Sequence, residues 1–556
     1  MPNSLFRKKP LSTILQDAKA GLDESHGAGL KKILGVRDLT AMGIAAVIGA
    51  GIFSTIGQAA YDGGPGVVFL FLITAVTCGF TALCYAEFAS RVPIAGSAYT
   101  YSYVTFGEII AWILGWALIL EYAIGNVVVS ISWSSYFVNL LEGINVHLPT
   151  WLATDPSTAE TVYDAAVGSG RPTTGLAWTT APIIAGYRFI CNLPAFVIII
   201  LITMLAFVGI KESRTSANFM VGLKLVVLAF IVGIGIFYIN TDNWTPFLPN
   251  GFNGVLKGVS AVFFAYIGFD AISTTAEECA NPQRDLPRGM IYSLIICTVI
   301  YVVVTLVITG MVNYAEFDAV ADPLAYVFEK INLTKIGFFV SVSAVVAATS
   351  VLLVFQIGQP RIWMSMSRDG LMPKRFGKIH PKYQTPAFAT IVTGIIVAIP
   401  SLFIESALMT DLTSIGTLFA FAIVCGGVLL LPPKDTTTVK SFNLPYINGQ
   451  WIVPVLFIVF IYGFRERFIS AFTNLSHEAY QEILFIVFIA ITSIITLFSF
   501  LRKLSLIPVL GMLCCLYLMI EIPARSWMVF FGWMAFGLII YFCYGYWKSK
   551  LVANNT

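Results

Sequence analysis

The stretch Gly43-Ile-Ala-Ala-Val-Ile48-Gly49-Ala50-Gly51-Ile52-Phe53 lies in the middle of the first apolar run of this chain. Glycine weakens a helix by about 1 kcal/mol relative to alanine, so two glycines on either side of one alanine favour local unwinding. In a bilayer, unwound backbone is tolerated only where it lines a cavity or is buried in protein. The N–H groups exposed at such a break attract an anion such as a carboxylate. The alternative interpretation is a packing face of small residues, which membrane helices also use.

The composition of the whole chain places this stretch in a membrane. Of the 556 residues, 57% are hydrophobic and 11% are charged, and the mean hydropathy is +0.83. Soluble proteins carry about 25% charged residues. A membrane-spanning helix needs about 20 apolar residues, and we identify about fourteen runs of this kind. The sequence therefore predicts an all-α polytopic membrane protein with about fourteen transmembrane helices.

These predicted spans divide the chain into five parts. Two groups of five spans are followed by four additional C-terminal helices, numbered 11–14, with a polar segment at each end of the chain. The parts are 1–38 (a cytoplasmic N-terminal segment), 39–240 (first repeat), 254–431 (second repeat), 452–547 (helices 11–14) and 548–556 (a cytoplasmic tail).

The distribution of basic residues predicts the orientation. When the N-terminus is placed inside, most of the 33 Lys and Arg residues fall in inner loops, as the positive-inside rule requires. An even number of spans then puts both termini in the cytoplasm, and we expect a plasma membrane or a bacterial inner membrane. The longest outer segment, Leu141–Cys191, is predicted to be a plain extracellular loop.

A second glycine break follows five spans after the first. Residues 263–271 read Phe-Phe-Ala-Tyr-Ile-Gly-Phe-Asp-Ala, with Gly268 in the middle of the span and Asp270 beside it. With five spans in each repeat, the second repeat begins on the opposite side of the membrane, so the two repeats are inverted. Two glycine-interrupted spans at equivalent positions are the best sequence indication of the binding site of a transporter.

Short motifs with consistent order and spacing run along nearly the whole chain. Together they resemble the amino acid–polyamine–organocation superfamily, most closely its cationic amino acid transporter family. The resemblance implies the inverted five-plus-five fold and alternating access. Besides the two breaks, the motifs are Phe6-Arg-Lys-Lys-Pro10, Gly115-Trp-Ala-Leu-Ile-Leu-Glu121-Tyr122, Gly209-Ile-Lys-Glu-Ser213, Glu277-Glu278, Asn281-Pro-Gln-Arg-Asp-Leu-Pro287 and Met366-Ser-Arg-Asp-Gly-Leu371.

The resemblance also implies a site for an amino acid substrate between the two breaks. Backbone at the first break is expected to hold the substrate carboxylate, and carbonyls at the second to accept hydrogen bonds from the α-ammonium. The carboxylate positions are Ile48, Gly49, Ala50 and Gly51, and the ammonium positions are Phe264, Ala265 and Ile267.

Lys224 lies inside the fifth span, about two turns from its inner end. Burying a charged lysine in a membrane costs about 2.5–3.5 kcal/mol on insertion scales, so its presence there indicates a function. The resemblance places its ammonium where sodium-coupled relatives of this fold hold a sodium ion, which suggests proton coupling or no ion coupling. The alternative is a lysine whose long side chain reaches the inner membrane surface.

Several other polar or aromatic residues in the spans have two open interpretations. Glu121 either faces the substrate side chain, which would suit a basic substrate, or is a structural acid. Gly268 is expected to shape the second break. Asp270 either holds the broken part of this span or takes part in binding, and Tyr266 either closes the site or only packs.

At the inner end of the sixth span, Glu277 and Glu278 precede a region that also contains Arg361 and Arg368 on the same side of the membrane. Such residues either form an inner gate of ion pairs or are solvated at a helix end.

The sequence favours transport over the competing classes. We find no Walker motif for an ATP-driven pump, and the four histidines fall in predicted loops or tails, which argues against an enzyme and a metal site. We expect an amino acid permease, proton-coupled, for cationic or small neutral substrates. We expect no cofactor and no nucleic-acid partner. The alternatives are a polyamine or organocation exchanger or uniporter, and a transporter-like amino acid sensor.

Overall fold

The computed structural model describes most of the chain and is almost entirely helical. Among the described residues, nine helices are long and apolar enough to cross a membrane, and four shorter apolar helices accompany them. The predicted polytopic helical membrane protein is therefore confirmed. The described residues are 5–10, 32–49, 51–92, 94, 96–184, 186–318, 320, 322–431, 442–473 and 480–553.

The helices before the second break include one that is interrupted and one that is very long. The interrupted helix is split by the Gly49–Gly51 stretch, and the long one carries the predicted Glu121 motif. In chain order they are α1 (Val36–Val47), α2 (Ile56–Gly63), α3 (Val67–Arg91), α4 (Ser97–Thr105), α5 (Glu108–Gly143), α6 (Pro156–Gly168), α7 (Leu193–Val208) and α8 (Ile210–Gly235).

The remaining helices begin with the second interrupted span and end with the C-terminal group. They are α9 (Gly251–Lys257), α10 (Val259–Tyr266), α11 (Pro282–Met311), α12 (Pro323–Lys330), α13 (Thr334–Arg368), α14 (Ala387–Ser401), α15 (Ser406–Val428), α16 (Ile452–Gly463), α17 (Arg465–Thr473), α18 (Tyr480–Arg502), α19 (Leu506–Ile520) and α20 (Ala524–Ile540).

The two interrupted spans lie among the longest helices of the fold. The α5 helix packs along α13, and α11 packs against both α1 and α3. Most of α5 is buried, whereas α18 exposes many apolar side chains, as expected of a helix that faces lipid. This arrangement holds the two breaks in the most buried part of the molecule.

The outer segment predicted as a plain loop contains regular structure. The helix α6 begins there because the side chain of Asp155 accepts a hydrogen bond from the Thr158 N–H at 2.9 Å, a helix N-cap, and Pro156 suits the first helical position. A two-residue hairpin pairs Ile183–Ile184 with Tyr187–Arg188. The prediction missed these elements because they are short and lack a strong apolar period.

Candidate functional site

The first break lies where the sequence predicts it. The helix α1 ends at Val47, and Ile48 has an extended backbone, with φ −78° and ψ 97°. Helical structure resumes at Gly51 with one wide π-helical turn before α2. The carbonyl of Gly49 accepts hydrogen bonds from two N–H groups of this turn, each at 3.2 Å. Ala50 lies outside the described residues.

The N–H groups of the first break differ in their partners. The N–H of Ile48 donates to the Ile44 carbonyl at 3.0 Å, whereas within the described part of the chain we find no hydrogen-bond partner for the N–H of Gly49 or of Gly51. A buried N–H group without a partner is costly, so an external acceptor at this position is favourable. Both glycines line the same cavity. The carboxylate role of these positions stays a prediction.

The second break follows the C-terminal end of a helix. The helix α10 ends at Tyr266, and Ile267 is extended, with φ −62° and ψ 139°. Gly268 has φ +118°, a backbone conformation that favours glycine, and a methyl group there would meet Cβ of Ala46 at 2.7 Å. The chain then continues inward as the tight turns of Phe269–Glu278. Gly268 therefore allows both the change of direction and the close approach to α1.

A small cavity lies between the two breaks and is lined by residues of both. Its polar groups are backbone groups of the breaks, while all of its lining side chains are apolar. The lining residues are Ala46, Val47, Gly49, Gly51, Val129, Phe264, Ile267, Val351 and Phe355.

The predicted ammonium acceptors have different surroundings. Phe264 and Ile267 both line the cavity. The Phe264 carbonyl also accepts the Ile267 N–H at 3.2 Å, which leaves it one further lone pair. The Ala265 carbonyl lies 2.7 Å from the hydroxyl of Tyr301. Ile267 and Phe264 are therefore the acceptors closest to the cavity, and all three positions remain predictions.

The ammonium of Lys224 lies at the C-terminal end of α1. It donates to the carbonyls of Ala45 at 3.1 Å and Ile48 at 2.7 Å, and to the Ser350 hydroxyl at 2.9 Å. The last carbonyls of a helix lack partners within the helix and carry its negative dipole end, so a cation is stabilised there. The side chain is fully buried, and its ammonium lies at the break, not at the membrane surface.

Glu121 is buried but does not line the cavity. Its Cβ faces Gly416 of α15, and Asp270 and Thr417 are close to its carboxylate. The structure therefore does not bring Glu121 to the place where a substrate side chain would lie. Among the described residues neither carboxylate oxygen of Glu121 has a hydrogen-bond partner, so both interpretations of this residue stay predictions.

Asp270 and Tyr266 both make contacts away from the cavity. The Asp270 carboxylate accepts a hydrogen bond from the Tyr122 hydroxyl of α5 at 3.0 Å. The Tyr266 hydroxyl donates to the Phe71 carbonyl of α3 at 3.1 Å. Neither residue is among those that line the cavity. These contacts connect the second break to α5 and α3 and suit the predicted structural roles.

Two ion pairs connect the inner end of the second interrupted span to α13. Glu278 pairs with Arg361, and both side chains are buried. Glu277 pairs with Arg368 at 2.9 Å, and this pair is partly exposed. The structure thus pairs the four residues that the sequence placed on one side of the membrane, and their role as an inner gate stays a prediction.

Glu278→Gln should lower the stability of the folded protein. Breaking a buried ion pair costs about 3–5 kcal/mol because it leaves an uncompensated buried charge, here that of Arg361. Thermal unfolding of detergent-purified protein measures the effect. Glu277→Gln is the matched control, because a partly exposed pair contributes about 0–1 kcal/mol. Equal shifts in the two variants would contradict the assigned difference in burial.

Two side chains of α5 form hydrogen bonds beyond the first break. The Tyr136 hydroxyl of α5 donates to the Phe53 carbonyl, just after the first break. Nearby, the Asn139 side chain donates to the carboxylate of Asp322 at 2.6 Å. Burial raises the pKa of the Asp322 carboxyl, at the start of α12, to about 6.

Sequence analysis missed Tyr136 and Tyr301, whose hydroxyls contact the backbone of the breaks. An apolar span commonly contains tyrosines that only pack, so neither residue carried a distinguishing signal. Lys224, by contrast, was found because a charge in an apolar run is costly.

Two sequence profiles match the chain. The profile of the amino acid permease family covers residues 34–472. A second profile, for the C-terminus of amino acid permeases, covers residues 504–549. Both breaks, Lys224 and the inner ion pairs fall within the first match.

Individual relatives are also similar over most of the chain. Branched-chain amino acid permease BcaP of Bacillus subtilis is 39% identical over 83% of this chain and 92% of its own length. Methylthioribose transporter of the same organism is 36% identical over 98% of both chains. Cationic amino acid transporter 9, chloroplastic, of Arabidopsis thaliana is 34% identical over 83% of this chain and 77% of its own length. All three names describe transporters.

Proposed function

Because the chain belongs to the amino acid permease family, we propose that it carries an L-amino acid with a neutral, apolar side chain across the membrane together with a proton. The single observation that carries this proposal is the cavity between the two breaks, where polar backbone meets apolar side chains. Membership of the family makes the chain a permease, as the sequence predicted, and the substrate and the coupled ion are the proposed parts.

The lining of the cavity favours a neutral side chain. Val129, Val351 and Phe355 form its side-chain wall, and no acidic residue is among the lining residues. A charged side chain loses its hydration in such a pocket and finds no counter-charge, which is unfavourable. The name of the branched-chain relative agrees with this substrate class. The names of the plant relatives suggest cationic substrates, which the lining does not favour.

The breaks supply the groups that an amino acid backbone needs. In this proposal the N–H groups of Gly49 and Gly51, with Ala50 between them, hold the carboxylate. The carbonyls of Ile267 and Phe264 accept the ammonium. A polyamine has no carboxylate and would leave the N–H groups of the first break without a partner, so this alternative is less favoured.

A neutral substrate needs a coupled ion for uphill uptake. The membrane potential contributes about 2.3 kcal/mol per charge per 100 mV, but only when charge moves. Lys224 is the proposed proton carrier, because its ammonium is fully buried and bonded to the last carbonyls of α1. Loss of that proton weakens its hold on the break and links protonation to the conformation of α1.

The proposed architecture is an inverted five-plus-five repeat with helices 11–14 added, fourteen spans in all. The interruption of both the first and the sixth span supports it. The basic residues support cytoplasmic termini and a location in the plasma or bacterial inner membrane.

Uptake by proteoliposomes tests the proposed function. Purified protein is reconstituted, and labelled leucine uptake is measured in competition with each of the twenty amino acids, with and without an inward proton gradient. We expect leucine, isoleucine and valine to compete about tenfold better than arginine or lysine, because the pocket offers no counter-charge. We also expect accumulation only with the gradient.

Each alternative has its own outcome in this assay. Uptake blocked by arginine and lysine but not by leucine contradicts the neutral substrate. Competition by methylthioribose alone favours the activity named for that relative. Binding of an amino acid without any uptake favours the sensor, and competition by spermidine favours the polyamine exchanger.

A further inference from the structure

Tyr301, in the middle of α11, contacts the backbone of both breaks. Its side chain is fully buried. Its hydroxyl oxygen lies 2.7 Å from the Val47 carbonyl, at the end of α1, and 2.7 Å from the Ala265 carbonyl, near the end of α10. A hydroxyl has one proton, so it donates to one of these carbonyls at a time while the other stays within reach.

The ring of Tyr301 is held firmly in this position. It packs edge-on against the ring of Tyr266, with 5.2 Å between centroids, and against Phe71 at 5.6 Å. Such aromatic contacts add to the burial of the side chain. The hydroxyl is therefore a fixed group to which the two helix ends come, not a mobile group that follows them.

The two carbonyls belong to halves of the spans that face opposite sides of the membrane. The inner halves are tied to each other, since the N–H groups of Ile33 and Leu34 each donate to the Glu278 carbonyl at 3.0 Å. The outer halves are also tied, because the Thr55 hydroxyl donates to the Ala261 carbonyl at 3.1 Å. Tyr301 alone among these contacts joins an inner half, α1, to an outer half, α10.

We propose that Tyr301 is a positioning residue that stabilises the occluded state of the transport cycle, in which the cavity is open to neither side of the membrane. It does so by holding the inner half of the first span against the outer half of the sixth. This inference rests on the proposed transport function. When the inner side opens, α1 moves away and the Tyr301 hydroxyl donates to the Ala265 carbonyl. When the outer side opens, α10 moves away and the hydroxyl donates to the Val47 carbonyl.

Removal of the hydroxyl should affect the occluded state most. In an open state water reaches the helix ends and hydrogen-bonds to their carbonyls. In the closed state the carbonyls of Val47 and Ala265 are buried, and apart from Tyr301 we find no donor to them among the described residues. An unpaired buried carbonyl is strongly unfavourable. Each transport cycle passes through the occluded state, so the rate of the cycle should fall, while binding to an open state should persist.

The test is Tyr301→Phe in reconstituted protein, with initial uptake rates and equilibrium binding of the same labelled leucine. We expect Vmax to fall about tenfold, as one lost hydrogen bond of a buried carbonyl implies. We expect the KM for uptake, and the Kd of detergent-purified protein for leucine, to stay within about twofold of wild type. The lost hydrogen bond of Tyr301 does not contribute to binding of leucine to the open state. Wild-type affinity also establishes that the variant is folded.

Tyr292→Phe is the matched control, because it makes the same change on the same helix at an exposed position. It should match wild type in both measurements. An unchanged Vmax in Tyr301→Phe, or a loss of binding in parallel with Vmax, overturns the inference. Failure of the wild-type protein to take up any amino acid removes the proposed function itself, which the Tyr301 comparison alone cannot do.

Discussion

Gly51→Ala is expected to reduce leucine uptake about hundredfold, the loss that follows when a reacting or binding group is displaced by about 1 Å. A methyl group at this position would overlap the backbone of Ala265. Because backbone atoms cannot rotate away as a flexible side chain can, the outer halves of the two interrupted spans must separate. The N–H group of Gly51 then leaves the cavity. Uptake per reconstituted protein molecule measures the loss.

Gly79→Ala is the control for this substitution. Gly79 lies in α3, and a methyl group there would meet no atom within 4 Å. It should leave uptake unchanged, and both variants should reach the membrane in similar amounts. Normal uptake by Gly51→Ala would contradict the proposed carboxylate site, because the close approach of the two breaks would then not be needed for transport.

Lys224→Ala should abolish both the accumulation of leucine by a proton gradient and the pH dependence of uptake. The substitution removes the ammonium that bonds to Ala45 and Ile48, and no other described side chain donates to these carbonyls with a titratable group. Counterflow of leucine against leucine needs no proton and should persist. Lys224→Gln should behave alike, since its amide can still donate to the carbonyls but does not titrate.

Lys257→Ala serves as the control for the charge change. Lys257 is exposed at the end of α9 and should leave the pH profile as in wild type. A pH profile that is unchanged in both Lys224 variants would assign Lys224 a structural role. Retained pH dependence in Lys224→Gln alone would mean that the proton binds elsewhere.

The breaks could be predicted because their cause is local. Glycine weakens a helix whatever surrounds it, so Gly49, Gly51 and Gly268 identified both interruptions before any fold was known. Lys224 was predicted for a similar reason, because a charge in an apolar run is costly anywhere in a bilayer. The sequence places Glu278 and Arg361 on the same side of the membrane but does not show whether they are in contact. Their ion pair was therefore one of two interpretations, the other being solvated side chains at a helix end.

The position of Glu121 could not be predicted. An acid in a span indicates a function or a structural bond, but the face of the helix that meets the substrate depends on how the helix packs. In α5 the cavity is lined by Val129, about eight residues and ~12 Å further along the helix. The apolar lining, which distinguishes a neutral from a basic substrate, became visible only when α5 and α13 were brought together.

For this protein, the sequence alone determined the membrane location, the helical class, the two interrupted spans and the buried lysine. Each of these follows from hydropathy, helix propensity or the cost of burying charge, which belong to the residues themselves. Only the tertiary structure decided which groups meet at the breaks. Lys224 is 176 residues from Ile48, and Tyr301 is 254 residues from Val47. Contacts over such separations depend on the rotation and packing of whole helices, which no local pattern specifies.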